Sequence, residues 1–297
     1  MPIIDAHTHL YPPEVNAAPA AWAAARGEAH WATLCARVRK SGRPVQGFPS
    51  VADFLRAMDA AGVERAVLLG WYWEKPETCA WQNRFYAECL RARADRFSAF
   101  AALHPGAGPA AVRAEILRAR DAGFCGLGEL SPHSQGVAAD DPVLGAALAL
   151  AGGLGMAVNF HVTEPGGGNY PGKVATPPGD FTRLARTHPG TTFILAHWGA
   201  RMALDPGIGA EVRGLGNVFF DTAASPLTYS PNVWREMAGA VGAGRILFGT
   251  DFPLVLYPLR EYAPSMLSLA DEARASGLGD AELAGVLAGT ARCVLGL

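Results

Sequence analysis

Short apolar runs rich in β-formers alternate with longer helical stretches along the whole chain, and this alternation restricts the fold more than any other feature. Neighbouring parallel strands must be joined by a crossover, and a helix is the usual one, so strand–helix repetition points to a parallel sheet. Eight strands are predicted: Ile3–His7, Val63–Trp71, Phe97–Leu103, Gly126–Ser131, Met156–His161, Thr191–His197, Val218–Asp221 and Arg245–Thr250. Helical patterns fall at Val51–Ala61, Pro76–Ala94, Pro109–Ala122, Val143–Ala151, Phe181–Thr187, Asn232–Val241 and Leu259–Ser276, with a short helix at Ala291–Leu297. Eight such units in 297 residues predict one domain, residues 1–297. The expected fold is a closed (β/α)8, or TIM, barrel, with a long insertion after the first strand and a C-terminal helical extension.

Local signals support the element boundaries. Ser50 and Asp53 form a capping-box pattern ahead of Val51–Ala61. The apolar stretch Val143–Phe160 has the length of a membrane span, but Asp141 as cap, Pro142 at the first turn and Gly152-Gly153 as a stop make it a helix followed by a strand. Two segments break the rhythm. Tyr11–Pro49, rich in Ala and Pro, carries Trp22, His30 and Trp31, and Glu164–Gly179 holds three successive glycines and four prolines. Both follow strands, so both are expected at the C-terminal mouth of the barrel, where such folds build their sites.

Charge argues against a polyanionic partner. Lys and Arg total 25 against 27 Asp and Glu, and no basic stripe is evident, so neither nucleic acid nor membrane is expected as a partner. The five cysteines include no C-x-x-C pair, and the chain opens without a basic leader and apolar stretch; the expectation is a cytoplasmic protein acting on a small molecule.

The polar residues at strand ends carry the chemistry. In Asp5-Ala6-His7-Thr8-His9 the two histidines are two residues apart, so on a strand their rings face one side. Three further apolar strands end in His161, His197 and Asp251. Any one of these would be unremarkable as a buried polar residue satisfied by a neighbour. Together they place five ligand or acid–base groups at the ends of the first, fifth, sixth and eighth strands, which converge on one mouth. Imidazole and carboxylate donors suit Zn2+, and also Mn2+ or Fe2+.

As an ordered set, D-A-H-T-H, N-F-H, A-H-W-G and G-T-D-F-P, with the closing Gly289–Leu297, resemble the amidohydrolase superfamily. The resemblance is to the branch that includes aminocarboxymuconate-semialdehyde decarboxylase. It implies a divalent metal held by His7, His9, His161 and Asp251, with His197 as a catalytic histidine, and it suggests a homodimer. Glu129, at the end of the fourth strand, departs from the decarboxylase pattern. In related hydrolases of the superfamily a glutamate here supplements or bridges metals, so it is either a further ligand, with one or two ions bound, or an acid that orients a ligand histidine.

The expected function is hydrolysis of an amide, lactone or ester by a metal-activated water, with Asp251 accepting the water's proton and His197 stabilising charge or carrying protons. The alternative is non-oxidative decarboxylation of a cyclic or unsaturated acid with the same ligands. A barrel that binds without turnover is a third reading, against which the complete ligand set and His197 speak. Candidate substrate contacts are Arg201, as a carboxylate fork, Trp71 and Trp73, as a stacking wall, and the loop residues His133 and Glu164. Each has a plainer role as a salt bridge, rim packing or a solvated charge. The glycines and prolines of Glu164–Gly179 suggest a lid that closes over the metal.

Overall fold

The computed structural model describes residues 1–297 and contains eight strands: β1 (Ile3–Thr8), β2 (Val63–Leu69), β3 (Phe97–Ala101), β4 (Gly126–Leu130), β5 (Ala157–Phe160), β6 (Phe193–Leu195), β7 (Val218–Asp221) and β8 (Ile246–Leu247). They pair in sequence order, each parallel to the next. Hydrogen bonds from Ala6 N to Phe248 O (2.7 Å) and from Asp251 N to His7 O (2.8 Å) join the last strand region to the first and close the TIM barrel. No helix is long and apolar enough to cross a membrane.

Alternation along the strands divides the core in two. Ile3, Ala66, Leu68 and Phe97 pack outward under the helices, whereas Ile4, Val67, Leu69, Phe100, Ile194 and Leu247 fill the interior. The C-terminal extension (Asp280–Ala284, Gly285–Gly289, Thr290–Leu295) places Ala288, Ala291 and Leu295 against that interior cluster. Strict alternation from Ile4 and Ala6 would turn His7 and His9 outward with Ile3. The register shift between Asp5 and Thr8 reverses the phase and directs both imidazoles inward, the re-aiming a bulge achieves.

Several boundaries differ from expectation. β2 ends at Leu69 instead of Trp71, and β8 is two residues long. Beyond β8 the backbone still bonds to β1 but irregularly: Gly249 lies against His7, where a Cβ would come within 2.6 Å of His7 Cβ, and Asp251 takes φ +64°. The last long helix is Met266–Arg274, capped by Ser265, so it starts later than Leu259.

The insertion after β1 is ordered by its aromatics. Its three short helices, Pro13–Ala17, Pro19–Arg26 and Ala29–Cys35, bring Trp22 and Trp31 together with Tyr11 and Trp73 at ring separations of 5.3–6.2 Å. Glu28 Oε2 accepts from Glu74 N–H, and Glu74 Oε2 accepts from His30 N–H, each at 2.7 Å, which ties the insertion to the loop after β2. Trp31 is fully buried, and its removal would cost about 3–5 kcal/mol.

Candidate metal centre

Six side chains from five strand ends meet at the barrel mouth. His7 Nε2 and His9 Nε2 lie 3.3 Å apart, with Asp251 Oδ1 at 3.9 and 3.4 Å and Glu129 Oε2 at 3.7 and 3.6 Å respectively. The other Glu129 oxygen faces a second group: Oε1 is 2.8 Å from His161 Nδ1 and 3.3 Å from His197 Nε2, which are themselves 3.2 Å apart. Glu129 therefore stands between the triad His7, His9, Asp251 and the pair His161, His197, one oxygen to each.

The outer ring nitrogens decide what the inner ones present. His9 Nδ1 lies 3.0 Å from Leu69 O, and His197 Nδ1 lies 3.1 Å from Ala223 O; a carbonyl only accepts, so both Nδ1 atoms donate. His7 Nδ1 donates to Asp221 Oδ2 at 2.9 Å. In neutral imidazoles this leaves the Nε2 atoms of His7, His9 and His197 as lone pairs, and they converge with carboxylate oxygens that also only accept. Converging acceptors at these separations repel unless a cation, either a proton or a metal ion, lies between them. The donor set of imidazole nitrogen and carboxylate oxygen fits a divalent metal, with the outer-ring acceptors fixing the tautomers.

The charge balance agrees. Burial pulls the His7 imidazole down, but the Asp221, Glu129 and Asp251 carboxylates overcome it and hold His7 up at about 10. Burial likewise opposes charge at Glu129, yet the His161 and His7 imidazoles hold it well below the usual carboxylate range. His197 is raised to about 8: burial lowers it, and its hydrogen bond to Glu129 outweighs that. His161 is lowered, burial prevailing over the attraction of Glu129. The surplus of negative charge is what a bound cation would neutralise.

The supports are local and specific. Asp221 is fully buried; its Oδ2 takes the His7 Nδ1 and Asn159 Nδ2 protons, while Oδ1 accepts from the backbone N–H groups of His197 (3.0 Å) and Ala223 (3.1 Å). This one carboxylate, read in the sequence only as the end of a strand, sets both His7 and the turn that carries His197. That turn is left-handed, with His197, Trp198, Ala200 and Arg201 at φ +49° to +60°. Side chains there cost about 1–2 kcal/mol per residue, and the surrounding hydrogen bonds and the buried Trp198 hold it in place. At Gly128, φ is +131° and a Cβ would lie 2.5 Å from Asn159 O, so only glycine lets β4 approach β5 with Glu129 in position.

A cavity of about 700 Å³ opens above the cluster. Glu129, His161, His197 and Asp251 line its floor, and Trp71 and Tyr72, stacked at 4.3 Å and 25°, line one side. Arg201 and Glu164 also reach it, although Glu164 Oε2 is engaged by the Tyr229 hydroxyl at 2.5 Å and the Arg201 guanidinium lies 4.9 Å from the Tyr229 ring centroid. Two expected contacts are elsewhere. Trp73 is buried in the aromatic cluster, its indole N–H given to Gln82 Oε1, because the chain turns back into the insertion after Tyr72. His133 is paired with Asp180 at 3.0 Å and anchors the loop after β4 to the helix Pro178–Thr187. His30, read as an ordinary residue, lines the cavity and donates through Nε2 to Gly172 O of the Glu164–Gly179 loop at 2.8 Å. No sequence signal marks that pairing, which spans 142 positions.

Among solved structures, 5-carboxyvanillate decarboxylase LigW from Sphingomonas paucimobilis superposes with a TM-score of 0.70 at 18% identity, covering 99% of each chain. 2,6-Dihydroxybenzoate decarboxylase from Rhizobium gives 0.67 at 18% identity, covering 100% of this chain and 99% of that one. A 5-carboxyvanillate decarboxylase from Novosphingobium aromaticivorans, complexed with manganese and 4-hydroxy-3-methoxy-5-nitrobenzoic acid, gives 0.75 at 14%, covering 99% and 96%. No curated protein matches the sequence. The amidohydrolase family profile matches residues 4–297, nearly the entire chain, and the chain belongs to the amidohydrolase family.

Proposed function

We propose that His7, His9, His161 and Asp251 hold a divalent cation, manganese or zinc, with Glu129 as a fifth donor. The proposed reaction is non-oxidative decarboxylation of a small aromatic or unsaturated carboxylic acid. The sequence alone favoured hydrolysis; the shared fold of aromatic-acid decarboxylases, one of them with manganese, now supports the alternative better. The observation that carries the reading is the placing of the donor cluster on the floor of a cavity whose side is the Trp71–Tyr72 stack, a surface suited to a planar ring.

When bound, the cation would anchor substrate oxygens and withdraw electron density from the reacting carbon. Trp71 and Tyr72 would orient the ring. His197, whose Nε2 lies 3.3 Å from Glu129 Oε1 and faces the cavity, would hold the proton to be delivered. As the carbon–carboxylate bond breaks, its electron pair stays on the ring carbon, which takes that proton, and carbon dioxide leaves.

One observation favours hydrolysis as the second reading: the two oxygens of Glu129 face two separate donor groups, an arrangement that two cations would share. In that case Asp251 would take the proton of an attacking water. Carbon dioxide release from hydroxybenzoates and muconate-like acids, measured beside lactone and amide hydrolysis with Mn2+- and Zn2+-loaded enzyme, separates the two. Turnover confined to the lactones or amides would overturn decarboxylation.

A further inference from the structure

β7 supplies none of the six side chains gathered at the mouth, yet its end organises the strands that do. Asp221, its last residue, holds His7 and the turn that carries His197. Thr222, the next residue, is fully buried and serves β8. The β7–β8 ladder ends at the pairing of Asp221 with Leu247, after which Thr222 N donates to Leu247 O at 3.2 Å. From there the Thr222 side chain replaces the missing ladder. Its hydroxyl accepts from Gly249 N at 3.0 Å and donates to Gly249 O at 2.9 Å, so one group satisfies both backbone positions.

Gly249 is confined on its other side by His7, and the residue after it is clamped from β1. Thr250 N donates to Asp5 Oδ1 at 2.9 Å, the Thr250 hydroxyl donates to Asp5 Oδ2 at 2.5 Å, and that hydroxyl accepts from Phe252 N at 3.1 Å. Asp251 follows directly, with φ +64° and its N–H given to His7 O at 2.8 Å. A left-handed backbone at a residue other than glycine persists only where its surroundings over-determine it. Here the two preceding residues are fixed by side chains from β7 and β1, and the Asp251 carboxylate arrives 3.4 Å from His9 Nε2 and 3.9 Å from His7 Nε2.

We infer that Thr222 is a positioning residue for Asp251: by holding both backbone groups of Gly249, its hydroxyl sets the path along which the chain brings that carboxylate to the cation. The inference rests on the proposed reading of Asp251 as a metal ligand, and not on the reaction the cation serves. Valine keeps the shape of the side chain but leaves two buried backbone groups without partners, and they regain partners only if the segment carrying Asp251 moves. Thr222 does not line the cavity, so its effect on the metal must pass through that backbone.

Co2+ tests this without turnover, because its visible absorption reports the arrangement of its ligands. Affinity and spectrum are measured for the wild type, Thr222→Val, Thr222→Ala and Thr222→Ser, with circular dichroism to show which variants fold. Thr191→Val is the control: Thr191 is also buried and its hydroxyl donates to Leu148 O at 2.9 Å, but it precedes β6 at the opposite end of the barrel. Thr222→Val and Thr222→Ala are expected to bind Co2+ about 10–100-fold more weakly with shifted bands, and Thr222→Ser to stay within about threefold with the wild-type spectrum. Thr191→Val should lower the Tm and change neither affinity nor bands. Wild-type affinity and spectrum in the valine or alanine variant, or a serine variant as impaired as they are, would overturn the positioning role. So would a Thr191→Val variant that shifted both, since loss of stability alone would then explain the effect. A wild type that takes up no Co2+ would instead refute the metal reading itself.

Discussion

Asp221 Oδ2 accepts the Nδ1 proton of His7 at 2.9 Å, and that bond leaves Nε2 as the nitrogen His7 turns toward His9, Glu129 and Asp251, where the proposed metal would sit. Asp221→Asn removes the negative charge and puts an amide in competition with Asn159 and His7 for donor and acceptor roles. A metal affinity lower by about 10–100-fold is expected, as for other partners of ligand histidines. Competitive chelator titration measures it; unchanged affinity would show that Asp221 serves only the fold.

Metal should stabilise the fold, because the four proposed ligands come from three separated parts of the chain. Ligand present at 100 times its dissociation constant adds about 2.7 kcal/mol, so chelation is expected to lower the Tm by several degrees and reloading to restore it. His7→Ala and Asp251→Ala should bind no ion in elemental analysis and show no chelator effect on the Tm. A wild-type protein that neither carries nor takes up a divalent ion would end the metal reading.

Glu129 and His197 can be separated by stoichiometry. With one ion, His197→Ala should keep its metal and lose 10²-fold or more in turnover, whereas Glu129→Gln should weaken the ion without changing the ratio. With two ions, both variants should fall from two equivalents to one. Inductively coupled plasma analysis of wild type and both variants distinguishes these outcomes.

The loop Glu164–Gly179 overhangs the cavity and is fastened at few points, among them Tyr229 to Glu164 and His30 to Gly172. Tyr229→Phe removes the first tie. Faster amide exchange confined to this loop is expected in the free protein, with protection recovered when an aromatic acid binds. Exchange in the loop that is indifferent to both the substitution and the ligand would argue for a static cover.

Burial raises Asp5 to about 7 against hydrogen bonds from Thr250 and His7. A carboxyl group whose folded value exceeds its unfolded value of 3.8 favours the folded state most below that lower value, and the contribution is lost as pH rises through about 7. Asp5→Asn keeps an acceptor for the Thr250 backbone N–H and does not titrate. Its stability, from urea unfolding between pH 4 and 8, should therefore fall less with rising pH than the wild type's; parallel curves would assign the wild-type slope to other groups.

The barrel and its principal polar residues were legible in the sequence because their signals are local. Apolar runs followed by amphipathic stretches specify strand and helix, eight repeats specify closure, and a histidine or aspartate at the end of such a run must lie at the mouth. His7, His9, His161, His197 and Asp251 could be singled out for that reason, and Glu129 with them. Tertiary structure decided what depends on pairs distant in the chain. The register shift that turns His7 inward arises from pairing with β2, and the tautomer of His7 from Asp221, 214 positions away. Trp73 and Trp71 are indistinguishable by composition; which one reaches the cavity was settled by the packing of an insertion whose helices are too short to be stable alone. Arg37, Arg39 and Lys40 lie in a turn near the end of the insertion and carry no motif in the sequence. Only the folding of that turn across the mouth, fastened beside Asp251, makes their charge part of a binding cavity, because electrostatic meaning depends on what else is buried nearby.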